Sequence, residues 1–209
     1  APRTIVTGTS EVFALAFSPD GSRLAIGTSN NPHYVSIWDT KTGEQLRLLE
    51  GHRDAVLTIR YSRDGNQLLT GSYDNTARLW NLRDGTSRAF VGHDWWVWSA
   101  EFSPDERRIV TASQDGSVLL WDVTSGKTGP PFLGHGGPVF AATFSPDGNS
   151  VASAGLDQRI LLWRPDSLMA VDIATALRSS DKKTDSLDRD VTALTGHSAA
   201  VRGLAYSAD

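Results

Sequence analysis

The sequence contains no cysteine and a single methionine. The first absence excludes disulfides, thiolate catalysis and cysteine-bound metal, and it leaves the redox compartment open. No apolar run approaches the roughly 18 residues needed to span a bilayer, and the N-terminal stretch lacks the apolar core of a signal peptide. A soluble, cytoplasmic chain with no membrane partner is therefore expected. Excess positive charge is missing too. Twenty Lys and Arg against 24 Asp and Glu give a formal net charge of −4, with the two signs interspersed. No basic stripe exists to follow a phosphate backbone, so nucleic acid is not an expected partner. A Gly-rich phosphate loop, a His-Glu-x-x-His signature and an isolated pair of carboxylates are also absent. No catalytic residue, cofactor or metal is expected.

What is present is repetition. Residues 92–122 read GHDWWVWSAEFSPDERRIVTASQDGSVLLWD, with three β-type runs at 97–102, 108–112 and 117–121. The turn formers Ser103-Pro104-Asp105 and Gln114-Asp115-Gly116 separate them. Gly-His recurs at 51/52, 92/93, 134/135 and 196/197, and an aromatic-Ser-x-Asp turn recurs at 17–20, 61–64, 102–105, 144–147 and 206–209. Trp38, Trp80, Trp121 and Trp163 are 42, 41 and 42 residues apart, a spacing of propeller blades rather than of helical repeats.

On these residues the chain resembles the WD-repeat β-propellers over residues 10–209. The resemblance implies an all-β fold of four-stranded antiparallel blades, each repeat supplying three strands to one blade and its outer strand to the neighbour. The repeats then run at about 8–50, 51–91, 92–133, 134–195 and, in part, 196–209. The first is irregular: Thr7-Gly8 occupies its Gly-His site, and Pro32 stands where its turn Asp should be. The fourth Gly-His pair lies 62 residues after the third, against intervals of 41 and 42 before it. This points to an insert near 165–190, whose first residues have the spacing of a short amphipathic helix and whose end is polar. A tolerated surface insertion is weighed there against a partner-docking helix. Counting strands gives about four complete blades plus two half-blade pieces, a ring that does not close within this chain. The expected remedy is a longer propeller or self-association.

The histidines repeat once per blade, too far apart to meet at one metal ion. In the family each His belongs to a network with a second-strand hydroxyl, the turn Asp and the Trp indole. Carried over, this implies His52, Ser72, Asp74 and Trp80 in the second repeat, and His93, Ser113, Asp115 and Trp121 in the third. The fourth repeat keeps His135, Asp157 and Trp163, with Gly155 where the hydroxyl should be. Such a network leaves no buried polar group unsatisfied, and losing a member should cost about 1–3 kcal/mol. Looser first and fourth blades are expected.

Top-face ligands of the family commonly touch residues flanking the first buried Val of each inner strand and the residue before the turn Asp. The resemblance thereby nominates Phe13, Leu57, Tyr73, Trp96, Trp98, Gln114, Phe140, Leu156 and Arg202, with Trp95 beside them. Contiguous exposed aromatics mark interaction sites. The alternative is that Trp95, Trp96 and Trp98 pack against one another or fill an under-closed centre. The expected function is a non-catalytic scaffold binding a protein or peptide on the top face. The alternative is a regulatory or sensor module of a larger signalling protein, such as a kinase or NTPase.

Overall fold

A computed structural model describes residues 4–5, 11–29, 35–165, 191–194 and 199–205. Thr7, Gly8, Asn31, Pro32, His197, the insert beyond Pro165 and the last aromatic-Ser-x-Asp turn lie outside them. Among the described residues every regular element is a β-strand. In chain order these are β1 (Val12–Phe17), β2 (Arg23–Thr28), β3 (Val35–Asp39), β4 (Gln45–Leu49), β5 (Val56–Tyr61), β6 (Gln67–Ser72), β7 (Thr76–Asn81) and β8 (Ser87–Val91). Then follow β9 (Val97–Phe102), β10 (Arg108–Ser113), β11 (Val118–Asp122), β12 (Val139–Phe144), β13 (Val151–Gly155), β14 (Ile160–Trp163) and β15 (Val191–Leu194). The strands form four antiparallel sheets, ordered β1-β2-β3-β4, β5-β6-β7-β8, β11-β10-β9 and β12-β13-β14-β15.

The chain divides into two compact units, Ala1–Ala100 and Glu101–Asp209. In the first, Ala25, Ile37, Leu49, Val56, Ile59 and Leu68 form a continuous buried core. Burying each aliphatic side chain of this size contributes about 1.5–3 kcal/mol. Gly27 permits the close packing of this core. A Cβ there would stand 3.0 Å from Val56 Cγ1 and 3.1 Å from Ile59 Cδ1. In the second unit Val110, Leu120, Val139, Val151 and Leu161 do the same work with Trp163 and Phe132. The second strands β6, β10 and β13 are buried along nearly their whole length, as central strands with both faces covered must be.

The Ser-x-Asp turns share one construction. Ser62 Oγ donates to Asp64 and accepts the Gln67 N–H, while Asp64 accepts the Asn66 backbone and side-chain N–H groups. These bonds, that of the Asn66 amide first, hold the Asp64 carboxyl down at about 2. Ser18 with Asp20, Ser103 with Asp105 and Ser145 with Asp147 repeat the arrangement. The residue after each Asp needs a left-handed backbone: Gly21, Gly65 and Gly148 supply it freely, whereas Glu106 adopts φ 57° with a side chain attached.

The third sheet departs from the four-stranded expectation. Its outer segment meets β11 only at two isolated bridges, Val118 with Phe132 and Trp121 with Thr128. Between them stand Pro130 and Pro131, which have no N–H to give a ladder. In the fourth sheet β15 pairs with β14 from Trp163–Val191 to Ile160–Leu194, so the chain re-enters the blade on the far side of the insert.

Candidate functional site

The residues with chemistry form two kinds of structure. The first is a buried chain of hydrogen bonds within single sheets. His52 Nδ1 lies 2.8 Å from Asp74 Oδ2 and His52 Nε2 lies 2.6 Å from Thr70 Oγ1, while Trp80 Nε1 donates to that same Thr70 oxygen at 3.0 Å. Trp80 can only donate and Asp74 only accept. The donor order that satisfies every atom therefore runs from indole to hydroxyl to imidazole to carboxylate, with the ring proton on Nδ1.

The hydroxyl in this chain belongs to Thr70, not to Ser72 as the resemblance implied. Leu68 is the residue opposite Trp80 on β6, and Thr70 is next on the same face. Ser72 ends the strand instead, donating to the Asp54 carbonyl and accepting the Asp74 N–H. The third repeat is corrected in the same way. Trp121 donates to Thr111 Oγ1 at 2.9 Å, and Ser113 accepts the Asp115 N–H. His93 is buried, and Asp115 takes the Ser117 N–H and hydroxyl.

The fourth repeat is complete. Trp163 donates to Ser153 Oγ at 2.7 Å, His135 Nε2 lies 2.8 Å from the same oxygen, and His135 Nδ1 is 2.9 Å from Asp157. Gly155 therefore breaks nothing, and the expected loosening of this blade has no basis in its network. Gly155 answers a different demand, since a Cβ there would lie 2.4 Å from the Pro138 carbonyl oxygen. Among the described residues the first repeat shows no such network. Leu24 faces Trp38, so Ile26 occupies the hydroxyl position, and Trp38 Nε1 turns to Ser36 Oγ on its own strand at 2.7 Å. The displaced hydroxyls were within reach of sequence reasoning: each lies ten residues before its tryptophan, and strand alternation puts it in register with the indole.

Burial pushes the Asp74 carboxyl upward. The hydrogen bond and charge of His52, with those from Thr76 and the Arg53 N–H, overcome this and hold it well below the usual carboxylate range. Asp157 is likewise raised by burial and brought down on balance by the Gly136 N–H, His135 and the Arg159 N–H.

The second structure is aromatic and lies in the first unit. Tyr73 and Trp96 stack at 4.4 Å between ring centroids. Trp98 meets both nearly at right angles, at 5.7 and 5.9 Å, Trp95 stands edge-on to Trp96 at 6.3 Å, and Phe13 closes on Tyr73 at 6.2 Å. Trp95 is 54 % exposed and Phe13 44 %, so the group is not a buried plug. Leu57, half-buried, belongs to the same unit. In the second unit Arg202 lies over the Phe140 ring at 5.6 Å, Leu156 is exposed and Gln114 is half-buried.

Backbone irregularity aims these side chains. The ladder between first and second strands skips a residue between Val12 and Ala14, between Val56 and Thr58, and between Val139 and Ala141. Phe13, Leu57 and Phe140 are the skipped residues, and Trp98 holds the corresponding position in the third repeat. A β-bulge frees its extra residue from the ladder and re-aims its side chain.

Among the described residues no helix is long and apolar enough to cross a membrane. Comparison with known proteins gives consistent results. Part of the chain, 72 residues, is 35 % identical to the intraflagellar transport protein 122 homolog of Xenopus tropicalis, covering 34 % of this chain and 6 % of that protein. Protein tipD of Dictyostelium discoideum is 35 % identical over 85 residues, covering 40 % of this chain and 14 % of its own length. Protein groucho of Drosophila melanogaster is 38 % identical over 82 residues, or 39 % and 11 %. The chain thus spans a small part of the curated relatives it matches. The WD40 family (WD domain, G-beta repeat) matches four times, at residues 2–39, 43–81, 85–122 and 126–164. These matches cover well over half of the sequence, and with four blade-like antiparallel sheets behind them the chain belongs to the WD-repeat family.

Proposed function

We propose that the chain is a non-catalytic protein-interaction scaffold whose recognition surface is the aromatic group of the first unit. The observation that carries this is the ring series Phe13–Tyr73–Trp96–Trp98–Trp95, partly exposed and mounted at or beside bulged strand positions. Trp and Tyr in such clusters are the side chains that most often dominate interface energies. Phe140, Leu156, Gln114 and Arg202 are separate candidates in the second unit, where Arg202 lies over the Phe140 ring. The Ser/Thr, His and Asp sets do not support an enzyme. Thr70, Thr111 and Ser153 are fully buried, and each accepts an indole N–H where a nucleophile would need exposure and activation. Relatives much longer than the matched stretch also support the second reading, a regulatory module within a larger protein.

The test is a pull-down with wild type and with the Trp95→Ala/Trp98→Ala double variant, their melting temperatures measured alongside. Loss of the captured protein at unchanged stability is expected. Retention of every partner by the variant would count against this surface.

A further inference from the structure

The loops that carry the aromatic group also carry an excess of negative charge. Glu11 immediately precedes β1, and its carbonyl accepts the Ser29 N–H. Asp54 leads into β5, where its carbonyl accepts the Ser72 hydroxyl one residue before Tyr73. Asp94 precedes Trp95, and its carbonyl accepts from the Asn75 amide. All three side chains are exposed, and Arg53 is the one basic residue on these loops among the described residues. Glu11 is thus two residues from Phe13, Asp94 is next to Trp95, and Asp54 is tied by a hydrogen bond to Ser72, the neighbour of Tyr73. The corresponding loop of the fourth repeat has Gly136 and Gly137 instead of an acid.

Aromatic faces rimmed by carboxylates select a cation. The ring quadrupole attracts positive charge, and a planar guanidinium stacks on Trp and Tyr while pairing with a carboxylate at its edge. An ammonium is more strongly hydrated and has no plane to stack. We propose that the aromatic group binds an arginine-bearing peptide segment, the guanidinium lying on the exposed indole of Trp95 or in the corner between Trp96 and Trp98. Glu11, Asp54 and Asp94 supply the counter-charge. The proposal rests on the reading of this surface as the recognition face and names the chemistry it recognises.

The experiment has two arms on the full 209-residue chain. In the first, octa-arginine, octa-lysine and octa-glutamate peptides are titrated at physiological salt, with tryptophan fluorescence as readout. Octa-arginine is expected to bind about fivefold to tenfold more tightly than octa-lysine, to lose that margin in Trp95→Ala, and to weaken in Asp54→Asn/Asp94→Asn. Trp95 is exposed, so its variant tests the idea even if Trp96→Ala unfolds the chain. Equal binding of the two cationic peptides, unaffected by Trp95→Ala, overturns the proposal.

In the second arm a displayed random-peptide library is selected on the wild type and counter-selected on Trp95→Ala. Enrichment of arginine supports the proposal. Peptides that need Trp95 but carry no arginine overturn it and leave the recognition face standing. Peptides indifferent to Trp95 overturn both.

Discussion

Thr70 shows how much depends on one oxygen. It accepts from Trp80 and sits against His52, so Thr70→Val, which keeps the shape and removes the hydroxyl, strands both groups. A loss of about 2–3 kcal/mol in urea denaturation is expected, against a small change for Thr70→Ser. Gly155→Ser, which writes a hydroxyl into the position where the repeat pattern seems to want one, should destabilise by about 2 kcal/mol or more. Its Cβ meets the Pro138 carbonyl, and Ser153 already serves Trp163.

The pH dependence follows from Asp74. Its folded carboxyl is depressed relative to the ordinary value of 3.8, so the stability it contributes is fully present above that pH and is lost as pH falls toward the folded value. The stability difference between wild type and Asp74→Asn should stay level from neutral pH to about pH 5 and shrink in acid; a gap that widened below pH 4 would refute the assignment. These residues also mark the limit of what the sequence discloses. His52, Asp74 and Trp80 were legible because they repeat, but Thr70, Thr111 and Ser153 differ in identity and sit two positions from a more conspicuous serine or glycine. What distinguishes them is the constant ten-residue spacing to each tryptophan, which strand alternation turns into a shared face, as the pairing of Leu68 with Trp80 shows.

Among the described outer segments, the third blade's has the fewest pairings, two isolated bridges. Gly129, Pro130 and Pro131 interrupt what β8 carries as a continuous ladder. Amide hydrogen exchange should therefore be faster at Gly129 and Phe132 than at Arg88 and Phe90 of β8. The sequence showed the prolines, yet a repeat count treats position as structure and so supplied a fourth strand. Pairing runs from Trp163–Val191 onward, so the two ends of the insert are already neighbours across a ladder. Replacing residues 166–189 by a short turn should keep the blade and raise stability by about 1–2 kcal/mol through the smaller loop-closure cost. A large loss would mean that the segment packs on the blade. Strand ends were legible to within a residue wherever turn chemistry is strong. The bulges were not, because nothing in Val12-Phe13-Ala14 announces a skipped pairing.

For the whole molecule, repetition disclosed the fold and departures from repetition disclosed the candidate surface. Three of the seven tryptophans crowd into residues 95–98; Trp96 and Trp98 meet Tyr73 of the second repeat, and Tyr73 in turn meets Phe13 of the first. The identities of these residues could be read from the sequence; their mutual stacking depends on blade-to-blade geometry within the first unit. Arginines add couplings that no repeat motif announces. Arg23 reaches the Gly65 carbonyl and lies over the Tyr61 ring, and Arg108 repeats this with Gly148 and Phe144. Arg23→Ala is expected to cost about 1–2 kcal/mol and lower the melting temperature by a few degrees.

The bulges have a consequence for how such a protein can change. Phe13, Leu57 and Phe140 are the residues that the ladder skips, so replacing one leaves the register of its blade intact. Under the proposed reading, specificity can therefore drift one position per repeat without first losing the fold, and variation confined to those sites should change what the chain binds while stability is preserved.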